Sequence, residues 1–84
     1  MDINQEKNKN RHDERFKQLG LNIAFYRKLK GLTQLQLAEA IGISRTHMSN
    51  IEAPQMATTV SMEVLFDIAN ALEVEPGKLL QMRE

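Results

Sequence analysis

The chain has 84 residues and a mass of 9.6 kDa; it is 42% hydrophobic and 26% charged. That is one small domain, too short for a second core or for most enzymes built on large clefts, and no apolar run nears the ~20 residues of a membrane span. Lys and Arg equal Asp and Glu at eleven each, but residues 1–50 carry nine basic against five acidic side chains and residues 51–84 two against six. A basic half suited to phosphate thus precedes an acidic half.

In chain order, residues 1–12 are polar and amide-rich, which predicts a flexible N-terminal arm that is no secretory signal, with a cytoplasmic location as the expectation. The domain is expected over 13–84. Phe16, Leu19, Ile23 and Tyr26 recur at steps of three and four, one stripe of a first helix from Asp13 to Lys30 that Gly31 ends. Thr33 opens a second helix as N-cap, with Gln36 placed for a capping box, and Gly42 stops it. Ser44 caps a third helix, whose apolar Met48 and Ile51 leave a wide polar face of Arg45, Thr46, His47, Ser49 and Asn50. Periodicity then lapses in a loop through Pro54. Ser61 starts a fourth helix with Met62, Leu65, Ile68, Ala69 and Leu72 as its inward stripe, and Pro76 opens a short fifth helix carrying Leu79 and Leu80. Nothing reads as a strand, so the class is all-α.

With no cysteine there is no disulfide, thiolate site or cysteine nucleophile, and His12 and His47 do not make a metal site. No glycine-rich phosphate loop or plausible triad is present, so we expect neither an enzyme nor a cofactor, and no small-molecule ligand is evident. The informative feature is the turn Gly42-Ile43-Ser44. So short a link, with a left-handed glycine, makes the third helix cross the second steeply, with Ala38 permitting close approach: a helix-turn-helix over 34–53.

The stretch TQLQLAEAIGISRTHMSNIE, with its Thr-Gln opening, Leu-Ala pair, turn glycine and closing Ile-Glu, resembles the phage-repressor and Cro type of helix-turn-helix domain, the xenobiotic-response-element class of regulators. LFDIANALEVEPGKLL is similar to that family's fourth helix with its succeeding Val and Leu anchors, and Gly20, Ile23, Tyr26 and Arg27 to its first helix. The resemblance implies a compact five-helix, lambda-repressor-like fold that binds double-stranded DNA as a transcriptional regulator, a repressor by expectation. It implies base reading by Arg45, Thr46 and Asn50, and backbone or secondary contacts from Gln34, Ser44, His47 and Ser49. Arg27 and Glu52 occupy the family's buried ion pair. Two departures stand out: the loop APQMATTV is longer than usual and lacks basic residues, leaving Thr58, Thr59 and Ser61 as neutral phosphate contacts, and Leu35 is apolar where the family is usually polar. One domain presents one reading helix, so a homodimer on a palindromic operator is expected, with Leu80 and Met82 as the exposed contact pair. A protein-binding module of the same fold, such as an antitoxin or an inhibitor of another regulator, is the alternative that the neutral net charge leaves open.

Overall fold

The structure, a computed structural model, describes residues 12–82. The expected arm, apart from His12, and residues 83–84 lie outside the described residues. The elements are α1 (Asp13–Leu29), α2 (Gln34–Ile41), α3 (Arg45–Glu52), α4 (Met62–Leu72) and α5 (Pro76–Leu79), and no strand occurs among the described residues.

Helix boundaries reflect local chemistry. At the end of α1, Gly31 N–H donates to the Lys28 carbonyl and Leu32 N–H to that of Arg27, a closure that puts Gly31 at φ 83°. The same closure ends α2, where Gly42 stands at φ 79° and Ile43 N–H donates to the Ala38 carbonyl. Thr33 Oγ1 accepts from Gln36 N–H while Gln36 Oε1 accepts from Thr33 N–H, a complete capping box. Ser44 and Ser61 cap α3 and α4 by accepting from the amides of His47 and Val64.

The core gathers Leu19 and Ile23 from α1, Leu37 and Ala38 from α2, Met48 and Ile51 from α3, Leu65, Ile68, Ala69 and Leu72 from α4, and Leu79 from α5. Phe16 and Tyr26, at the ends of the α1 stripe, are half-buried. Met62 does not join the core and is 58% exposed. As the first residue of α4, its side chain leans back beyond the helix end, where it gains no cover.

Two features of α1 position everything else. Gly20 lies so close to α3 that a Cβ there would stand 2.1 Å from the Ile51 carbonyl oxygen. Asn22, 1% exposed, donates from Nδ2 to the carbonyls of Leu79 and Gln81 and accepts from Gln18 Nε2, fixing the C-terminal segment. A further tie joins Lys30 to Glu73, which ends α4 in the left-handed region at φ 58°. The Lys30 hydrogen bond and charge hold the Glu73 carboxyl below the usual carboxylate range.

Candidate nucleic-acid interface

The α2–turn–α3 unit presents its polar side outward because its apolar side has only one place to go. Met48, Ile51 and Glu52 turn inward and are buried, which leaves Arg45, Thr46 and His47 exposed and Ser49 and Asn50 half-buried on the other side of α3. The three residues expected to read bases, Arg45, Thr46 and Asn50, thus lie on one helix, with Arg45 and Thr46 in its first turn. None of their side chains is tied to another group among the described residues by a hydrogen bond or ion pair.

Beneath this surface a single carboxylate joins three helices. Glu52 Oε2 accepts from Arg27 Nε at 2.7 Å, and Glu52 Oε1 accepts both from Arg27 Nη2 at 2.9 Å and from Gln34 Nε2 at 2.9 Å. Arg27 Nη1 also donates to the Leu32 carbonyl at 2.7 Å, which ties down the α1–α2 connection. Arg27 and Glu52 are each 7% exposed, so the bidentate pair replaces the hydration that burial removes. No buried side-chain nitrogen or oxygen among the described residues lacks a hydrogen-bond partner.

The remaining expected contacts are held in different ways. Gln34 is half-buried, and one hydrogen of its amide is committed to Glu52 rather than pointing freely outward. Ser44 and Ser61 are exposed; their oxygens accept from helix amides, so each hydroxyl hydrogen still faces outward chemistry. Thr59 is exposed. Thr58 differs from expectation: it is half-buried and its hydroxyl donates to the Asn50 carbonyl at 3.1 Å. Its single hydrogen is therefore spent on anchoring the loop to α3 instead of being presented to a phosphate.

Leu80 and Met82 are 54% and 51% exposed, whereas Leu79 is fully buried. Together with His12, Arg15, Phe16 and Leu19, the exposed pair lines a mainly apolar groove of about 360 Å³ on the side held by Asn22. Sequence reasoning missed Asn22 and the Gln34–Glu52 bond, and it placed Gly20 only by resemblance, without the contact it makes. Their partners lie far along the chain, and the only available signal was a lone Asn interrupting the buried side of α1. Among the described residues no group of three or more His, Asp or Glu could hold a metal, and no helix is long and apolar enough to cross a membrane.

Residues 23–79 match the helix-turn-helix family. The chain is 36% identical over 62 residues to Control protein C.SmaI of Serratia marcescens, an alignment that spans 74% of this chain and 71% of that protein. No solved structure is a significant match. The five helices of the described residues, the outward polar face of α3, the family match that takes in the helix-turn-helix whole and the control-protein relative lead to one conclusion: the chain belongs to the Cro- and phage-repressor-type helix-turn-helix family and is a non-enzymatic, DNA-binding transcriptional regulator.

Proposed function

We propose that the protein reads a specific double-stranded sequence by laying α3 in the major groove, as a homodimer on a palindromic operator, and represses by occupying it. The observation that carries this reading is the division of α3 into a buried side, locked by Met48, Ile51 and Glu52, and a polar side with Arg45, Thr46 and Asn50 left unengaged. An Arg bridges guanine O6 and N7, an Asn pairs with adenine, and a Thr methyl touches thymine. Gln34, Ser44, His47, Ser49, Thr59 and Ser61 serve the backbone, with Thr58 acting through the loop it anchors. Pairing through Leu80 and Met82 would place two reading helices about one DNA turn, ~34 Å, apart. A regulator of this kind acts in the cytoplasm.

Selection of bound duplexes from a random pool by gel shift tests the central claim; failure to enrich any sequence at low salt would refute it. On the selected site, Arg45→Ala should cost about 1–3 kcal/mol and relax preference at one position, while Gln34→Ala should weaken all duplexes alike. Light scattering of the wild type and Leu80→Glu tests the dimer. A wild-type monomer would refute pairing, and a variant still dimeric would refute only its location.

A further inference from the structure

We infer that Lys28, a residue outside the helix-turn-helix itself, contacts the DNA backbone beside Gln34 and supplies the positive charge that the loop after α3 lacks. The inference rests on the DNA-reading proposal above and names a contact that the family resemblance does not assign.

Positive charge is scarce on the reading face. From residue 34 through residue 61, which covers α2, the turn, α3 and the loop after it, Arg45 is the single Lys or Arg. Duplex affinity depends on neutralised phosphates, so one cation is meagre for this face. The other basic side chains of the described residues are Arg15, Lys17, Arg27, Lys28, Lys30 and Lys78. Arg27 is consumed by Glu52, and Lys30 is held at 2.6 Å by Glu73. Arg15 lines the groove of Leu80 and Met82, Lys17 sits in the first half of α1 and Lys78 on α5.

Lys28 is placed otherwise. It is exposed, forms no ion pair among the described residues, and borders an open groove of about 350 Å³ between α1 and α3, shared with Leu21, Gln34, Ser49 and Pro54. Arg27 and Glu52 also line that groove, and their charges cancel, so the buried carboxylate presents no net repulsion to an anion. Gln34 is pinned there by Glu52 and has a second amide hydrogen to give. Ser49 faces the groove from the recognition helix. A phosphate at its mouth meets two neutral donors and one mobile ammonium, a combination that binds backbone without reading sequence.

The test is equilibrium binding of the full chain to its selected duplex and to an unrelated one between about 50 and 200 mM salt, conditions under which each lost phosphate contact makes the negative slope of log K against log salt shallower by about 0.9. Lys28→Ala should make the slope shallower by that amount and weaken both duplexes by the same factor, and Lys28→Arg should keep the slope. Lys30→Ala is the matched control: it removes the same charge two residues away, from a side chain already on Glu73, and should leave the slope unchanged. Equal slopes for Lys28→Ala and wild type, or equal reductions for Lys28→Ala and Lys30→Ala, would overturn the inference while leaving α3 reading intact. Loss of preference at one base rather than uniform weakening would overturn it too. Wild-type binding that ignores salt would bring down the DNA reading along with it.

Discussion

Gly20→Ala sets two principles against each other and so tests the packing of α1 on α3. Helix propensity favours alanine over a mid-helix glycine by about 1 kcal/mol. Packing says the opposite. The new Cβ would stand 2.1 Å from the Ile51 oxygen, 3.2 Å from the Ile51 carbon and 3.3 Å from Glu52 Cα, all backbone atoms that cannot swing aside as a side chain would. Reaching an ordinary carbon–oxygen contact of about 3.3 Å requires α3 to retreat by about 1.2 Å. That movement would stretch the 2.7 Å bond between Arg27 Nε and Glu52 Oε2 beyond hydrogen-bonding range unless the side chains move with it, and it would open the core at Ile23, Met48 and Ile51. Forcing one carbon into a filled space costs about 1–3 kcal/mol, and here a strained buried ion pair adds to it, so the net after the propensity gain is a loss of roughly 2 kcal/mol. For a domain of this size that lowers Tm by about 8–16 °C. Thermal melts monitored by the helical circular dichroism signal are sufficient. A Tm equal to or above wild type would show that α3 is not held against Gly20.

Three other perturbations have defined outcomes. Asn22→Ala leaves the Leu79 and Gln81 carbonyls without their donor and should cost about 1–3 kcal/mol in urea unfolding, with faster amide exchange across residues 79–82; wild-type exchange there would refute the anchoring role. Arg27→Met strands the Glu52 carboxylate and should cost about 3–5 kcal/mol, while adding Glu52→Met should recover much of it; equal stability of the single and double variants would refute the buried-pair account. For the Lys30–Glu73 tie the folded carboxyl titrates below its unfolded value, so its stabilisation is present above the ordinary Glu range and lost as pH falls through the depressed value. In Lys30→Met the Glu73 titration measured by NMR should return upward, and an unmoved titration would refute the pairing.

What the sequence discloses well is whatever depends on near neighbours. Thr33 with Gln36, Ser44 with His47, Ser61 with Val64, and the two left-handed glycines all act within a turn or so of chain, so their roles can be read directly. In the sequence, Met48 and Ile51 suffice to place the polar side of α3, and the buried Glu52 agrees with them. Met62 fits the same stripe arithmetic and yet is exposed, because periodicity gives a direction around the helix and says nothing of whether a neighbour reaches that far along it. Long-range partners are the least visible. Asn22 bonds to carbonyls 57 and 59 residues away, and backbone carbonyls carry no residue-type signal. Gln34 looks like a free helix-end amide until Glu52, 18 residues on, is seen to hold it. Glu73 occupies a conformation that glycine usually supplies, and no local motif announces it.

Gly20 and Asn22 stand two positions apart on α1, about 200° around its axis, so one meets α3 while the other grips the strip that carries Leu80 and Met82. α3, the proposed reading helix, and the proposed pairing surface are therefore both tied to opposite sides of the same turn of α1. In a dimer built this way the angular phase between the two reading helices is fixed by the protein before DNA arrives. Adding one base pair between half-sites moves them about 3.4 Å apart along the axis and out of phase by about a tenth of a turn. A dimer so held would leave the adjustment to twisting and bending of the duplex itself, whose cost depends on the sequence of the untouched central steps.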